Sequence, residues 1–399
     1  MAVPASLEPV SFDDLCVIDA DTHLTEPHDL WTKRAPAAFA ERVPRVESVK
    51  GRPTWVVDGV VLGHAGGASA VRRDGAKSQG VEFFGWTIDD VHPGAHLLPE
   101  RLRAMDEQGI WGQIVYPNAF GFGGQGFAKM ADRDVRLLTA RLYNDAMAEL
   151  QDESGGRLMP MAIMPWWDLD AMVAEATRAG AIGLHGVNTT TAPHHHGLPD
   201  LGSAYWDPFW EVCAELSLPV NFHIGAAESD IDWYGTVSWP SLAPDFKLGI
   251  GSAMLYLNNA AVLGNLIYAG VLERHPDLEV VSVESGVGWI PFFMHALDYQ
   301  IGEMAPKSID SLTMTPSDYF RRQVHSCFWF ERQGLQQVID VLGHEHVMFE
   351  TDFPHPTCTY PNGLAFAAEA LAGIGDRAIV RDLMGGNAAR LYGVDPPTA

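Results

Sequence analysis

A carboxylate and an imidazole stand two positions apart near the start of the chain, at Asp21 and His23. The residues before them, Cys16, Val17 and Ile18, are apolar, which is typical of a strand covered on both faces. Side chains alternate along a strand, so positions 21 and 23 project to the same side. A carboxylate oxygen and an imidazole nitrogen placed in this way can bind one divalent cation. The alternative is that Asp21 lies in a turn and His23 on the surface, with no metal bound. Further candidate metal ligands at other strand ends would argue against that alternative.

Such matching residues follow three later apolar runs, as His223, Glu284 and Asp352. In a barrel of parallel strands the carboxyl ends meet at one mouth, and several carboxylates buried there without a cation would be costly. The sequence therefore predicts a metal held by Asp21, His23, His223 and Asp352, with Glu284 as a further candidate ligand. Mixed nitrogen and oxygen ligands suit zinc, manganese or iron better than calcium. We expect one ion, with two as the alternative.

The elements that position these residues alternate between short apolar strands and helices. The predicted strands are residues 17–23, 113–117, 158–165, 182–187, 219–223, 278–284, 324–330 and 347–352. With no break in composition, this alternation predicts one α/β domain over residues 1–399, a (β/α)8 TIM barrel. The other candidate is a doubly wound open sheet, which would more often carry a glycine-rich phosphate loop after its first strand, and the sequence has none.

Residues 36–94 do not follow the alternation of strands and helices. Positions 55–62 read as a β-hairpin with an Asp58-Gly59 turn, flanked by segments rich in glycine, alanine and mixed charges. We interpret this stretch as an insertion after strand one that lies over the barrel mouth. Long excursions of this kind often serve as a lid or as a contact between subunits.

The amino-acid composition argues against some classes of binding partner. The 399 residues include 47% hydrophobic ones and carry a formal net charge of −25, which argues against nucleic acid and anionic membranes. We expect no run of about 18 apolar residues that could span a membrane, and no secretory signal in the first residues. The four cysteines are far apart, as expected of free thiols in a cytoplasmic protein. The expected partners are a small-molecule substrate and further copies of the chain, with a hetero-oligomer left open.

The ordered set of motifs resembles the amidohydrolase superfamily, and within it the amidohydrolase 2 branch, which includes aminocarboxymuconate-semialdehyde decarboxylase and resorcylate decarboxylases. The resemblance rests on the Asp21-x-His23 pair, on His223, and on residues 284–289 and 349–355. It runs from about residue 17 to residue 393, with further similarities at residues 205–210, 272–278 and 387–393. The resemblance implies a metal-dependent barrel enzyme, a hydrolase or lyase. Its metal would be held by Asp21, His23, His223 and Asp352.

One position departs from the family pattern. Decarboxylases of this branch usually have a histidine at the end of strand six, where this chain has Glu284. A glutamate can give a proton to a ring carbon only if burial raises its pKa, and next to a cation it would bind the metal instead. The candidate catalytic residues are Asp352 as ligand and general base, Glu284, and His355 as an acid–base or substrate-positioning group. For His355 a purely structural role at a helix start is the alternative.

Three functions remain open from the sequence. The first is hydrolysis or non-oxidative decarboxylation by a metal-dependent enzyme. The second is a carboxylate-rich oxygenase with two metals, a function that a few members of the branch are thought to have acquired. The third is a non-catalytic partner subunit that keeps the barrel.

Aromatic side chains near the predicted strand ends suggest the class of substrate. Trp289, Phe353, Phe120 and Trp167 are the candidate substrate-binding residues. Aromatic walls favour a small planar or apolar molecule. The alternative is that these rings only pack the loops.

Overall fold

A parallel sheet runs through the computed structural model of the protein, which describes residues 10–230 and 239–397. Within these residues the strands are β1 (Ile18–His23), β2 (Arg45–Val49), β3 (Arg52–Val57), β4 (Val60–His64), β5 (Gly112–Tyr116), β6 (Leu158–Pro160), β7 (Ala162–Ile163), β8 (Val187–Asn188), β9 (Val220–His223), β10 (Val280–Val283), β11 (Val324–Phe328) and β12 (Val347–Phe349). The α-helices are α1 (Leu98–Gln108), α2 (Arg133–Glu153), α3 (Leu169–Ala181), α4 (Asp207–Glu215), α5 (Pro244–Leu255), α6 (Asn258–Tyr268), α7 (Val271–Arg274), α8 (Ile290–Met304), α9 (Pro316–Gln323), α10 (Leu335–Leu342), α11 (Gly363–Leu371), α12 (Arg377–Arg381) and α13 (Asn387–Leu391).

The parallel strands form a closed barrel. β1, β5 and β6 pair in one sheet, and β7 to β12 pair in chain order in a second. β6 and β7 are two halves of one strand, interrupted at Met161. Closure is made by two backbone hydrogen bonds, from Asp352 N–H to the Asp21 carbonyl at 2.9 Å and from His23 N–H to the Phe353 carbonyl at 2.8 Å. The first and last strands therefore meet at the end that carries three of the predicted ligands.

The barrel strands are apolar on both faces because both faces are covered. β10 reads Val-Val-Ser-Val, and all four of its residues are buried. Every residue of β5 and of β11 is buried as well. Helices cover the outside while side chains from neighbouring strands fill the inside, which explains continuous apolar runs instead of alternation. Each fully buried valine contributes roughly 1.5–3 kcal/mol relative to an exposed one.

Local signals in the sequence set the helix ends. Asp132 precedes α2, and its carboxylate accepts hydrogen bonds from Asp134 N–H at 2.9 Å and Val135 N–H at 3.1 Å. Asp168 caps α3 in the same way, and such caps contribute about 1 kcal/mol each. Gly109 ends α1 in a left-handed conformation with φ of 71°, which a glycine adopts without steric cost.

The predicted fourth strand is wrong over most of its length. We expected residues 182–187, whereas β8 covers only Val187–Asn188. The residues before it complete the carboxyl end of α3 instead, because Gly183 adopts φ of 84° and Leu184 N–H donates to the Ala179 carbonyl at 3.0 Å. A glycine in this conformation closes a helix, and a short apolar run around it fits a helix end as well as a strand.

Residues 45–95 lie against the loops that follow the first and last barrel strands. β2, β3 and β4 form an antiparallel sheet of their own. Trp55 on β3 is buried, with its ring 5.2 Å from the ring of Trp31. Further along, Ala70 N–H donates to the Pro354 carbonyl at 2.8 Å. The segment is thus anchored beside the loop that contains His355.

One expectation about composition needs correction. The stretch Pro244–Tyr268 is 25 residues long and contains an 18-residue window with a mean hydropathy of 1.2, so by length and composition it could cross a membrane. It is weak evidence for a span, because core helices of soluble proteins meet the same criterion. The stretch forms two helices, α5 and α6, separated at Tyr256 and Leu257. The buried face of α6 consists of Asn259, Val262, Leu263, Leu266 and Ile267.

Candidate metal centre

The five predicted metal ligands lie at four strand ends around one mouth of the barrel. Asp21 and His23 are on β1, His223 is the last residue of β9, Glu284 directly follows β10, and Asp352 follows β12. Glu284 is 7% exposed, and the other four are fully buried. The alternation of side chains along a strand explains why positions 21 and 23 share the interior.

Two of these carboxylates come from strained backbone. Glu284 has φ of 55° and Asp352 has φ of 59°, both in the left-handed region that favours glycine. This conformation costs a residue with a side chain roughly 1–2 kcal/mol. Strain of this kind persists where the surroundings hold it and is common at functional sites. Here it ends the strands and turns both carboxylates toward the mouth.

The donor atoms approach one another closely. The Nε2 atoms of His23 and His223 are 3.0 Å apart. Oδ1 of Asp21 lies 3.5 Å from His23 Nε2, and Oδ2 of Asp21 lies 3.5 Å from His223 Nε2. A Glu284 oxygen lies 3.5 Å from His223 Nε2, and an Asp352 oxygen lies 3.6 Å from His23 Nε2. The structure therefore brings together all five residues that the sequence singled out.

Hydrogen bonding prepares His223 to bind a cation. Its Nδ1 lies 2.7 Å from the carbonyl oxygen of Ile224, which can only accept. Nδ1 must therefore carry the proton, and Nε2 presents its lone pair to the cluster. Both Asp21 oxygens and Oδ1 of Asp352 are buried without a hydrogen-bond partner. Unsatisfied buried acceptors that face one another are what a bound cation would satisfy.

Burial disfavours every charge in the cluster when no cation is present. It raises the pKa of Asp21, Glu284 and Asp352 well above their usual range, and neighbouring carboxylates raise these values further. It lowers the pKa of His23 well below its usual range, with His355 and His223 adding to the effect. A divalent metal would stabilise the charged carboxylates and the neutral imidazoles together. The donor set therefore suits a divalent metal.

A buried network supports the cluster from below, and sequence reasoning missed it. Asp19 accepts hydrogen bonds from Thr351 N–H at 2.8 Å, from the Thr351 hydroxyl at 2.6 Å and from Gln113 Nε2 at 3.2 Å. Arg101 donates to Gln113 Oε1 at 2.6 Å and to the His23 carbonyl at 3.0 Å. Asp19 thus ties β1 to the residues after β12. Its position two residues before Asp21 was the signal that could have revealed it.

His355 also joins the cluster, and a neighbouring aromatic ring covers it. The His355 ring stacks on that of His23 with centroids 3.6 Å apart, and its Nδ1 lies 3.0 Å from Asp352 Oδ1. Burial lowers the pKa of His355 to about 3. Phe122 lies 4.5 Å from His223, 4.9 Å from His23 and 5.3 Å from His355 between ring centroids. Phe122 therefore packs against all three imidazoles, while the ring of Tyr116 lies 5.2 Å from that of His223 and 6.0 Å from that of His23.

The four predicted substrate-binding aromatics lie farther out. Phe120 is buried and stacks on Phe127, which in turn packs against Trp167. Phe353 packs with Val71, Cys358 and Tyr360. The ring contacts described for Phe120, Phe353 and Trp167 are all with residues outside the metal cluster.

Trp289 is the fourth of these aromatics and follows the predicted ligand Glu284 by five positions in the chain. Its indole nitrogen donates to the Ser285 carbonyl at 3.0 Å, and its ring packs against Phe293 at 5.2 Å. Trp289 therefore braces the loop that follows Glu284.

Comparison with known proteins identifies the family. Residues 18–394 match the family described as Amidohydrolase. The chain belongs to this family. The resemblance inferred from the motifs is thereby confirmed, and the protein is an enzyme of the hydrolase or lyase type.

Individual relatives share this family and this fold. The chain is 26% identical over 269 residues to a gamma-resorcylate decarboxylase from Rhodococcus jostii. The alignment covers 64% of this chain and 76% of that protein. An amidohydrolase structure from Mycobacterium avium subsp. paratuberculosis aligns with a TM-score of 0.73 at 23% identity, over 95% of this chain and all of that one (100%).

A structure of a dihydroxybenzoic acid decarboxylase from a Polaromonas species aligns with a TM-score of 0.62 at 18% identity, over 96% of this chain and 98% of that one. That structure contains manganese and the inhibitor 2-nitroresorcinol. At these identities the structural likenesses show the fold, and they agree with a TIM barrel for this chain.

Replacing His223 with alanine tests the metal centre directly. The variant loses an imidazole nitrogen that lies within 3.5 Å of two carboxylates, so metal affinity should fall by at least about a hundredfold, and turnover should be lost. Metal content by mass spectrometry, measured against the wild-type enzyme, checks the result. Full occupancy in a folded variant would remove His223 from the ligand set.

Proposed function

We propose that this enzyme is a metal-dependent decarboxylase or hydrolase of a small planar organic substrate, with a divalent transition metal held by Asp21, His23, His223 and Asp352. The observation that carries the proposal is the 3.0 Å approach of two imidazole nitrogens among carboxylate oxygens that lack other partners. Nitrogen and oxygen donors together suit zinc, manganese or iron. The manganese in the Polaromonas decarboxylase makes that ion the first to test.

The residues of the cluster fit distinct chemical roles. A divalent metal bound there would polarise a substrate oxygen or lower the pKa of a water molecule. Asp352 accepts a hydrogen bond from the Thr357 hydroxyl at 3.0 Å through Oδ2, which orients its Oδ1 toward the cluster. Asp352 is therefore placed to take a proton from substrate or water. His355 Nδ1 lies 3.0 Å from Oδ1 and is within reach to pass that proton on.

Glu284 is proposed as a metal ligand and not as a proton donor. One of its oxygens lies 3.5 Å from His223 Nε2, well inside the group of converging donor atoms. A carboxylate that binds a cation stays ionised, whereas donation to a ring carbon requires the protonated form. The role that a histidine has in related decarboxylases would then fall to another group of this site.

Glu284→Gln separates these two roles because it keeps the shape and removes the charge. We expect manganese affinity to fall by about tenfold or more, as loss of a ligand requires. Since burial raises the pKa of Glu284 in the metal-free enzyme, metal binding should release a proton from this residue, and affinity should rise with pH. Calorimetry in buffers of different ionisation enthalpy counts the released protons, and the variant should release fewer than wild type.

Two other outcomes for Glu284→Gln would contradict the proposed ligand. Unchanged metal affinity with a lower rate would make Glu284 the acid. Unchanged affinity and unchanged rate would make it structural.

Phe122 and the relatives support a planar substrate. The ring of Phe122 packs against three imidazoles and forms an apolar wall directly at the cluster. Planar molecules pack well against such a wall. The relatives named as decarboxylases of resorcylate and of dihydroxybenzoic acid act on carboxylated rings, which makes this class the first to test.

A direct assay tests the proposed reaction. Metal-free enzyme is loaded with manganese and offered resorcylate, dihydroxybenzoate and carboxyvanillate, while carbon dioxide release and oxygen consumption are both recorded. We expect release that requires metal, is absent from His223→Ala and consumes no oxygen. Turnover that persists in metal-free enzyme would contradict the proposal.

A second candidate function, a carboxylate-rich oxygenase with two metals, is favoured by the number of acidic donors. Asp21, Glu284 and Asp352 all face the cluster, and Glu284 belongs to both groups of converging donor atoms. Oxygen consumption coupled to substrate conversion in the same assay would replace the first proposal with this one.

We also propose that the enzyme assembles with further copies of itself. Trp55 of the hairpin is buried, so the insertion offers less apolar surface than the sequence suggested. Large exposed apolar side chains remain in the insertion at Val61, Val81 and Phe84. Others lie on α5 and α8, namely Phe246, Ile250, Phe292, Tyr299 and Met304. Exposed apolar surface of this kind is typical of contacts between subunits.

Light scattering at micromolar concentration should therefore give a dimer or larger assembly. Phe292→Asp, at a side chain that is 78% exposed, should reduce its size without unfolding the chain. A wild-type monomer would remove the idea.

A further inference from the structure

The carboxylate of Glu331, shortly after β11, accepts hydrogen bonds from three backbone amides. Its Oε1 accepts from Val287 N–H at 2.6 Å and from Gly288 N–H at 3.2 Å, and its Oε2 accepts from Trp329 N–H at 3.3 Å. Val287 and Gly288 belong to the β10–α8 loop, which comprises residues 284–289, whereas Trp329 directly follows β11. Glu331 therefore joins the loops that follow two neighbouring strands of the barrel.

The backbone of the β10–α8 loop is what balances the charge of Glu331. The hydrogen bonds described for its carboxylate all come from backbone amides. Burial raises the pKa of Glu331, and these amide hydrogen bonds partly offset the rise. Charge-assisted hydrogen bonds are stronger than those between neutral groups, so the carboxylate holds the loop firmly in one conformation.

Gly286 lies directly against this carboxylate. Its φ is 64°, in the left-handed region that glycine adopts without steric cost. A Cβ atom added at this position would lie 2.6 Å from Oε1 of Glu331. The close approach of carboxylate and backbone therefore leaves no room for a side chain at position 286, and a methyl group there would push the carboxylate off its amides.

Glu284 begins the same loop in a strained conformation. Its φ of 55° is unfavourable for a residue with a side chain and persists only where the surroundings hold it. On one side the Glu284 N–H donates to Oε2 of the buried Glu350 at 3.3 Å. On the other side the chain passes through Gly286 to the amides that Glu331 holds. The strained residue is thus fixed at both ends.

We propose that Glu331 is a positioning residue for Glu284: by holding the β10–α8 loop it keeps the Glu284 carboxylate at the metal cluster. The inference rests on the proposed function, in which Glu284 is a metal ligand, and adds the residue that keeps this ligand in place. A Glu284 oxygen lies 3.5 Å from His223 Nε2, and relaxation of the backbone at Glu284 would redirect that oxygen. Glu331 itself belongs to neither group of converging donor atoms, so its effect on the metal must pass through Glu284.

A double-mutant cycle on manganese affinity tests this dependence. The full-length enzyme is loaded with manganese, and affinity is measured by competition with a chelator for wild type, Glu331→Leu, Glu284→Gln and the double variant. Glu331→Leu should lower affinity about tenfold, the usual effect of losing a group that orients a ligand. The double variant should bind within about twofold of Glu284→Gln alone, whereas independent effects would multiply.

Two further variants separate the hydrogen bonds from the bulk of the side chain. Glu331→Gln keeps a carbonyl oxygen that can accept from Val287 and Gly288, so its affinity should stay within about threefold of wild type. A loss as large as that of Glu331→Leu would overturn the proposal. Gly286→Ala displaces the carboxylate without replacing it and should lower affinity only where Glu284 is present, which keeps the cycle available if Glu331→Leu does not fold.

A matched control is Asp298→Leu. Asp298 on α8 is also a partly buried carboxylate that accepts a backbone hydrogen bond, from Ser317 N–H at 2.9 Å. Its loss should lower the melting temperature and leave manganese affinity unchanged. An equal loss of affinity in this control would show a general effect of stability and overturn the role of Glu331.

The remaining outcomes separate this inference from the proposed function. If Glu331→Leu keeps wild-type affinity, or lowers it equally with and without Glu284, the positioning role is overturned while the metal site stands. If Glu284→Gln keeps wild-type affinity, the ligand assignment and the positioning role fall together. If wild type binds no manganese, the proposed function fails as well.

Discussion

The burial of like charges at one end of the barrel is the constraint on which the rest of the site depends. Asp21, Glu284 and Asp352 are nearly or completely inaccessible, and burial raises the pKa of each of these carboxyl groups. An ion without a partner in such surroundings costs several kcal/mol. The apolar strands of the barrel and its covering helices supply the stability that allows this arrangement. A metal ion would turn the same repulsion into attraction.

Hydrogen bonding distinguishes structural carboxylates from those available to a metal. Asp19 is as buried as Asp21, but it accepts three hydrogen bonds from Thr351 and Gln113. Burial raises the pKa of Asp19 to about 6. Asp21 has no such partners on either oxygen. Asp19 and Asp21 are thus two carboxylates on one strand with different roles. Asp19 is held by hydrogen-bond donors and supports the structure, whereas Asp21 faces no such donors and is available to a metal.

The sequence was most informative where a residue's role follows from its place at a strand end. Asp21, His23, His223, Glu284 and Asp352 follow apolar runs, and the shared mouth of a barrel brings such positions together whatever the loops do. The fold could be predicted for the same reason, since both rest on the alternation of strands and helices. The failure at residues 182–187 shows the limit, because an apolar run with a glycine fits a helix end as well as a strand.

Contacts between distant loops could not be predicted in this way. Phe122 and Asn118 lie in the loop after β5, and their partners His223 and His355 come more than 90 residues later. Nothing in the local sequence states which aromatic ring will meet which imidazole. Phe120 and Phe122 look equivalent in the sequence, yet Phe120 stacks on Phe127 while Phe122 reaches the cluster. The loop must fold before that distinction exists.

The glutamate at the end of β10 changes how the site must handle protons. A protonated histidine there could donate a proton to a substrate carbon and become a neutral imidazole. A glutamate near a cation stays ionised and strengthens metal binding, but it gives up the role of donor. The proton must then come from a group close to the metal but free of it for part of the reaction. In the proposed decarboxylation, Asp352, which accepts a hydrogen bond from Thr357, would be the group placed for that exchange, and it would supply the proton that Glu284 does not.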